Sequence, residues 1–396
     1  MGTCNICGSE ADEFVALLDL PIYCNLLWDD RQAAIDCPKG DIRLAFCKHC
    51  GGISNIVFDP AKLGYSQDYE NSLHYSARFQ EYATELANRL VKNHDLHDKT
   101  IIEIGCGKGD FLVSLCELGN NKGFGFDNSY VKRDEYEGLG NQVTFIQDFY
   151  SDKYADYQGD FVCCRQVLEH VQDPNDLLGP LKGALKNSED GEAAIAFFEV
   201  PNALYTFKNM MVWDVIYEHC TYFTPVSLTY AFNAAGYDTP AAIKEEFGAQ
   251  FISVEAQLSP TERPTANAEA NALQALAEDI ESFEAKFRAQ QQHWTTALNN
   301  LFQQGKKVVI WGSGSKGVTF LNLLALKDKV KYAVDINPRK QGKFIPGGGQ
   351  EIVSPDTMKD YRPDVVIVMN PLYKEEIKAS LVSMGLNTQV LTTEDY

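Results

Sequence analysis

The stretch of sequence that most constrains how this chain folds is residues 100–110, which read Thr-Ile-Ile-Glu-Ile-Gly-Cys-Gly-Lys-Gly-Asp. Thr100–Glu103 predicts a short buried strand. Gly105, Gly107 and Gly109 then predict a turn into a helix, because glycine permits positive φ and lets a ligand approach the main chain closely. The spacing Glu-x-Gly-x-Gly-x-Gly differs from the Gly-x-Gly-x-x-Gly of dinucleotide sites. An ordinary strand, turn and helix would look the same locally, so the strands that follow decide the interpretation.

Polar side chains stand directly after the strands that the following sequence predicts. Asp127 and Asp148 follow the second and third strands, and Gln166 and His170 follow the fourth. Because ligands of open α/β sheets lie beyond the carboxyl ends of the strands, these groups should share one site. The strands predicted after the first are Lys122–Phe126, Val143–Ile146, Asp160–Cys164 and Ala194–Val200.

This arrangement resembles the core of class I S-adenosylmethionine (SAM) methyltransferases, in which the glycine turn is motif I. An acidic group at the position of Asp127 can accept hydrogen bonds from both ribose hydroxyls of an adenosine ligand. A carboxylate at Asp148 is suited to holding the adenine amino group. SAM is therefore the expected cofactor, and the cofactor-binding candidates are Glu103, Gly105, Gly107, Gly109, Asp127, Asp148 and Gln166.

Length, charge and cysteine content exclude several classes of protein. With 396 residues the chain is too long for one ordinary core and predicts two to three domains. The formal net charge of −20 argues against nucleic acid or an anionic membrane as a partner, since both require a basic surface. No long apolar run is present, so neither a signal peptide nor a membrane span is expected. The 11 cysteines then favour a reducing compartment, and we expect a cytoplasmic protein.

Two Cys-x-x-Cys pairs predict a zinc site in the first part of the chain. Cys4 and Cys7 form one pair, Cys47 and Cys50 form the other, and glycine follows each pair. Four thiolates from two such knuckles can surround Zn²⁺ tetrahedrally and leave no open position, so the expected role is structural. The alternative is a metal-free pair of turns.

A candidate catalytic segment, residues 213–223, follows the fifth predicted strand and reads Trp-Asp-Val-Ile-Tyr-Glu-His-Cys-Thr-Tyr-Phe. This position places it at the carboxyl edge, facing the expected methyl group. His219 is the candidate general base because histidine titrates near neutrality, and a carboxylate such as Glu218 can hold its tautomer. Since adjacent side chains diverge, Glu218 can instead orient another group. A purely structural histidine is the alternative.

The tyrosine-rich segment Tyr65–Ser76 precedes a predicted helix, Arg78–Leu96. Such an entry segment often lies over the cofactor as a lid. The alternative is a helix N-cap at Ser76 with packing tyrosines.

The last part of the chain predicts a second α/β unit that begins at Lys306. A strand there leads into Gly312-Ser-Gly-Ser-Lys-Gly317 and a helix. Taken alone, this turn with Asp335 after a later strand would suggest an NAD site. The loop after Asp335 is basic and glycine-rich, which fits a diphosphate. The candidate substrate-binding residues are Gly312, Gly314, Lys316 and Lys340.

The order of the knuckles, the SAM core, the Glu-His-x-x-Tyr-Phe segment and the second glycine turn resembles that of sugar-nucleotide C-methyltransferases. These enzymes add a branching methyl to a 4-ketodeoxysugar of a dTDP-sugar, as in tetronitrose or mycarose formation. The resemblance covers essentially the whole chain and implies a structural zinc, SAM as donor, and a dTDP- or GDP-linked sugar as substrate. The predicted fold is α/β: a small zinc-binding domain (1–64), a class I SAM-methyltransferase Rossmann-like core (65–262), a linker helix (263–305) and a C-terminal Rossmann-like domain for the nucleotide sugar (306–396).

The resemblance also implies a mechanism in which a base removes the proton next to the C4 ketone and the resulting enolate takes the methyl group. Matched residue by residue, His219 is the base and Glu218 its neighbour, while Tyr75 and His170 match an active-site tyrosine and histidine. Many relatives have one more residue between the tyrosine and the Glu-His pair than this chain has. Since an enolate oxygen needs hydrogen-bond donors, the candidates are Tyr75, Tyr217 and Tyr222.

Three other functions remain open from the sequence. The same scaffold could methylate oxygen or nitrogen of another nucleotide-linked or small metabolite. A binding protein could use SAM or a dinucleotide only for regulation. An NAD enzyme could use the Gly312–Gly317 turn.

Overall fold

The computed structural model describes residues 1–64, 69–139, 142–185, 193–239, 241–260 and 269–395, so residues 65–68 of the expected lid lie outside it. Three sheets organise these residues. The strands are β1 (Gly2–Thr3), β2 (Glu10–Pro21), β3 (Lys39–Phe46), β4 (Ile53–Asn55), β5 (Thr100–Ile104), β6 (Lys122–Phe126), β7 (Val143–Ile146), β8 (Phe161–Arg165), β9 (Ile195–Pro201), β10 (Thr221–Tyr222), β11 (Tyr237–Asp238), β12 (Lys244–Glu246), β13 (Phe251–Leu258), β14 (Val308–Trp311), β15 (Tyr332–Val334), β16 (Glu351–Val353), β17 (Val365–Val368) and β18 (Gln389–Thr392). The helices are α1 (Arg31–Ile35), α2 (Ala77–Asn93), α3 (Asp110–Gly119), α4 (Asn175–Ala184), α5 (Ala203–Lys208), α6 (Pro225–Ala234), α7 (Ala270–Gln303), α8 (Ser315–Leu323), α9 (Met358–Tyr361) and α10 (Lys374–Ser383).

The central sheet has the strand order β11-β13-β9-β8-β5-β6-β7, with β12 paired to β13. Strands β9, β8, β5, β6 and β7 are parallel, so their carboxyl ends meet at one edge, as the sequence predicts. β13 runs antiparallel to β9 and closes the sheet. This is the Rossmann-like fold of class I SAM methyltransferases, and the predicted fold class is confirmed. Ser76 caps α2, since its Oγ accepts the Phe79 N–H at 3.4 Å.

The N-terminal sheet has the order β1-β2-β3-β4-β10 and is antiparallel. Its last strand, β10, comes from the candidate catalytic segment, with Thr221 opposite Ser54 and Tyr222 opposite Ile53. The N-terminal unit therefore extends into the segment that carries His219. Main-chain hydrogen bonds across this ladder hold that segment in place.

The long helix α7 connects the first and last units through one shared core. The sequence predicts a linker helix over residues 263–305, and the structure has α7 over Ala270–Gln303, with residues 263–268 outside the described part of the chain. Its buried face packs into a cluster that also contains residues of β2, β3, β14 and α8. Trp294 of α7 lies 5.0 Å from Phe320 of α8, and Trp213 lies 4.8 Å from the same ring. This packing ties the candidate catalytic segment to the C-terminal unit.

The C-terminal sheet is parallel throughout, in the order β16-β15-β14-β17-β18. α8 follows β14 directly, so the second glycine turn lies at the carboxyl end of a central strand. Within the described ranges, no helix combines the length and apolar character needed to cross a bilayer.

Candidate active site

The backbone N–H groups of the motif I turn donate hydrogen bonds to the end of β6 and to the Asp127 carboxylate that follows it. Gly105, Gly107 and Gly109 all have positive φ, between 55° and 90°. The Gly105 N–H bonds to the Phe126 carbonyl at 2.8 Å, and the Gly107 N–H bonds to Asp127 Oδ2 at 2.8 Å. A Cβ on Gly107 would meet no atom within 4 Å, so open space lies over the turn beside the Asp127 carboxylate.

Asp127 borders that space, and a second acidic group, Glu103, is buried in β5 just before the turn. Asp127 Oδ1 accepts the Ser129 N–H at 2.7 Å, which fixes the carboxylate at the end of β6. Glu103 is buried, burial raises its pKa to about 8, and its Oε2 has no hydrogen-bond partner among the described residues. An open glycine turn, a fixed carboxylate and an orphaned buried oxygen fit a polar adenosine cofactor such as SAM.

Asp148 and Gln166 lie at the same edge, after β7 and β8. Asp148 Oδ2 accepts hydrogen bonds from Lys153 and from Tyr154 Oη, and these lower the pKa of Asp148 to about 2. Gln166 has a φ of 57° and donates from Nε2 to Glu199 Oε1 at 3.2 Å. Contact of either residue with the cofactor stays a prediction.

Next to Gln166 lies a buried network of charged and polar side chains that was not predicted from the sequence. Arg165 Nη2 lies 3.0 Å from Glu199 Oε1, with Arg165 stacked 4.1 Å from the Phe111 ring. Tyr82 donates a hydrogen bond to the other oxygen of Glu199. The available signal was a glutamate within the apolar run of β9, because a charge in a buried strand needs a partner.

His219 of the candidate catalytic segment packs against a second imidazole, that of His170, which follows β8. His170 and His219 approach edge to face with ring centroids 4.9 Å apart. His170 donates Nδ1–H to the Glu218 carbonyl at 3.0 Å, and burial lowers the pKa of His170 to about 4. Burial, then His170 and Lys316, lower the pKa of His219 well below its ordinary value. Val167, which lies three residues before His170, packs against the motif I turn, since a Cβ built on Gly105 would lie 2.1 Å from Val167 Cγ2.

Glu218 points away from His219 and into the N-terminal unit. Its Oε2 accepts the Cys24 N–H at 2.8 Å, and its side chain is fully buried. Burial raises the pKa of Glu218 to about 7, while the Cys24 N–H acts in the opposite direction. The carboxylate therefore anchors the segment and does not hold the His219 tautomer in this arrangement.

The three candidate tyrosines are not brought together. Tyr217 accepts the Asp59 N–H at 3.0 Å within the N-terminal unit, and Tyr222 donates to the Ile216 carbonyl at 2.9 Å. The Tyr222 ring lies 5.9 Å from that of His219. Tyr75 is 41% exposed and lines a cavity of about 600 Å³ that also includes Lys108 of the motif I turn. Of the three, only Tyr75 has its side chain toward open space next to that turn.

The second glycine turn brings Gly314 and Lys340 together. A Cβ on Gly314 would lie 3.9 Å from Lys340 Nζ, which bonds to Asn25 Oδ1 at 3.2 Å. Lys316 instead pairs with Asp214 at 2.8 Å, which links α8 to the candidate catalytic segment. Gly312, at the start of the turn, has a φ of 112°. Like Asp127 in the first turn, Asp335 accepts a turn N–H, here from Ser313 at 3.0 Å.

The four cysteines of the two knuckles converge. Cys4 Sγ lies 3.5 Å from Cys50 Sγ, and Cys7 Sγ lies 3.6 Å from Cys47 Sγ, with all four sulfurs within 4.8 Å of one another. A tetrahedral Zn²⁺ with Zn–S bonds of about 2.3 Å places its sulfurs about 3.8 Å apart. This donor set and spacing fit a closed, structural zinc site.

We expect purified protein to carry one tightly bound zinc at this cluster. Replacing Cys47 and Cys50 together by serine should remove it, because serine hydroxyls are poor zinc ligands. Elemental analysis checks this, with Cys37→Ser, a buried cysteine outside the cluster, as the control. A wild-type protein without metal, or a double variant with full zinc, would contradict the assignment.

Comparison with known proteins agrees with the fold. A methyltransferase domain family matches residues 75–240, and a C-methyltransferase C-terminal domain family matches residues 253–388. C-methyltransferase NovU of Streptomyces niveus is 25% identical over 232 residues, which cover 54% of this chain and 51% of that protein. Ubiquinone biosynthesis O-methyltransferase of Escherichia coli is 31% identical over 88 residues, 21% of this chain and 37% of that protein.

The chain thus spans about half the length of the first relative and little more than a third of the second. Among solved structures, magnesium protoporphyrin IX methyltransferase from Synechocystis PCC 6803 aligns with 46% of this chain and 84% of its own, at 16% identity and a TM-score of 0.36. The two domain matches cover most of the central sheet and most of the C-terminal unit. The fold is therefore that of a class I SAM-dependent methyltransferase, and the last part of the chain is similar to the C-methyltransferase C-terminal domain family.

Proposed function

We propose that this protein is a SAM-dependent C-methyltransferase that adds a branching methyl group to a nucleotide-linked 4-ketodeoxysugar. The observation that carries the proposal is the edge-to-face His170–His219 pair, in which His170 follows β8, the strand paired in parallel with the β5 strand that leads into the motif I turn. The C-methyltransferase C-terminal domain match and the similarity to NovU support carbon as the acceptor.

Carbon methylation explains why a histidine base is placed here. A C–H next to a ketone is weakly acidic, so a positioned base is needed to take the proton and leave the electron pair on the enolate. His219 takes that proton, and the Tyr75 hydroxyl is the candidate donor to the enolate oxygen. SAM, held by Glu103, the glycine turn and Asp127, supplies the methyl group when bound.

The position of Lys340 favours a nucleotide diphosphate as the part of the substrate that binds at the second glycine turn. Its side chain is 6% exposed, and its ammonium lies over Gly314, the N-cap of α8. Gly314 offers no capping side chain, so the first N–H groups of α8 have no bond from their cap residue's side chain. A buried cation over a helix N-terminus is suited to a phosphate group.

Replacing Lys340 by methionine should raise the KM for the nucleotide sugar about 10-fold to 100-fold, the effect of losing a charge-assisted hydrogen bond of about 1.5–3 kcal/mol. SAM affinity should stay constant, because Lys340 belongs to the second turn. Steady-state kinetics and calorimetry with dTDP measure the two effects. The matched control is Lys359→Met, which removes an exposed lysine whose salt bridge among the described residues is with Asp356. Equal losses of SAM and nucleotide affinity would contradict the assignment.

The proposed function is tested by incubating the protein with labelled SAM and a panel of dTDP- and GDP-linked ketosugars. Nuclear magnetic resonance of the product should place the new methyl on the carbon next to the ketone. A methyl on oxygen or nitrogen would overturn carbon methylation. Failure with every ketosugar would overturn the substrate class.

A further inference from the structure

The two segments that carry the histidine pair are held together by hydrogen bonds between them. The Cys220 N–H bonds to the Glu169 carbonyl at 2.9 Å, and His170 Nδ1 donates to the Glu218 carbonyl at 3.0 Å. Because Nδ1 of His170 carries the hydrogen in that bond, its lone pair is on Nε2. Nε2 lies 3.9 Å from Glu169 Oε1.

Together with Glu169, His170 and His219 form a cluster of three side chains that can ligate a metal. Donor atoms of Glu169, His170 and His219 all lie within 4.8 Å of one another. Glu169 is 2% exposed, and its Oε2 has no hydrogen-bond partner in the described part of the chain. A buried carboxylate oxygen without a partner is costly, and a cation would satisfy it.

We propose that Glu169, His170 and His219 form a second metal site, which takes a late first-row divalent ion such as Zn²⁺ and reversibly inhibits the enzyme. Two imidazoles and one carboxylate suit such ions, and small side-chain shifts bring the donors to bonding distance. The His170 Nδ1–H bond to a main-chain carbonyl is the outer-shell contact typical of metal-ligating histidines. The knuckle site is chemically different because its ligands are all sulfur.

Inhibition follows because the metal would occupy the lone pair that His219 needs as a base. This step rests on the proposed function, whereas binding of the metal does not. Zinc added beyond the amount that fills the knuckle site should therefore lower the methylation activity. A chelator too weak to remove zinc from the four thiolates should restore that activity.

The test uses full-length protein with its knuckle zinc in place and no SAM or sugar. Calorimetry with chelator-buffered Zn²⁺ should show one further equivalent per chain. Glu169→Gln, which keeps the shape but removes the charge, should weaken this event at least about 10-fold, because even the loss of an outer-shell partner of a metal ligand costs about 10-fold to 100-fold in affinity. Glu117→Gln, at an exposed position of α3, is the matched control and should bind as wild type. His170→Asn provides the same comparison if Glu169→Gln does not fold.

A further Co²⁺ titration identifies the ligands. The expected spectrum has ligand-field bands without additional thiolate-to-metal charge transfer, since the second site lacks sulfur. No second equivalent, equal affinity in Glu169→Gln, or new thiolate bands would overturn the inference. Metal binding that leaves methylation of a ketosugar unchanged would keep the site but overturn the inhibition and the role of His219 as base. Methylation as proposed with no second metal would overturn this inference alone.

Discussion

Replacing His219 by asparagine is expected to lower the methylation rate at least about 100-fold, the contribution of a positioned general base. Asparagine keeps much of the shape of histidine but cannot act as a base near pH 7. SAM and dTDP affinities should stay nearly unchanged, because the motif I turn and Lys340 are held by other residues. The matched control is His97→Asn, which changes an exposed histidine.

Hydrogen exchange separates carbon from oxygen methylation in the same variant. In D₂O, with S-adenosylhomocysteine in place of SAM, a 4-ketosugar nucleotide should gain deuterium at the carbon next to the ketone. An O-methyltransferase has no reason to exchange that hydrogen. His219→Asn should abolish the exchange together with methylation. A His219→Asn variant that keeps more than about a tenth of the wild-type methylation rate would contradict the role of His219. Deuterium exchange without methylation in this variant would assign the role of base to His170 or Tyr75 instead.

The fold could be predicted from the sequence because its signals are local. Each parallel strand of the central sheet is a short apolar run, and a polar residue such as Asp127 marks its end. The Cys-x-x-Cys spacing likewise predicts the knuckles, and the structure brings their four sulfurs together. Periodicity and turn chemistry are properties of neighbouring residues, so a single sequence suffices to detect them.

The partners of the candidate catalytic residues could not be predicted, because they come from distant parts of the chain. The sequence left open whether Glu218 holds the His219 tautomer or orients another group, and its carboxylate accepts a hydrogen bond from Cys24, which precedes it by 194 positions. Tyr217 bonds to Asp59 for the same reason: β10 joins the N-terminal sheet and turns these side chains toward it. Adjacent side chains diverge, and only the tertiary fold decides which one faces the cofactor. Catalysis by Glu218 and Tyr217 stays a prediction.

The second large effect is expected in stability, at the buried pair of Arg165 and Glu199. Both side chains are nearly inaccessible, at 9% and 0% exposure. Glu199→Gln should lower the free energy of unfolding by about 3–5 kcal/mol, because it leaves the Arg165 charge buried without its partner. Urea unfolding followed by circular dichroism measures this loss. The matched control is Asp356→Asn in the exposed pair with Lys359, which should cost about 0–1 kcal/mol.

The double variant Arg165→Met with Glu199→Gln shows whether the unpaired charge is the cause. Removing both charges should recover most of the lost stability, since a buried ion pair adds little over apolar residues of similar volume. A double variant as unstable as Glu199→Gln would instead assign the loss to the hydrogen bonds that Tyr82 and Gln166 donate to Glu199. Because Gln166 depends on Glu199 for its position, SAM affinity should fall in both variants and stay unchanged in Asp356→Asn. Unchanged SAM affinity in both would mean that Gln166 does not contact the cofactor.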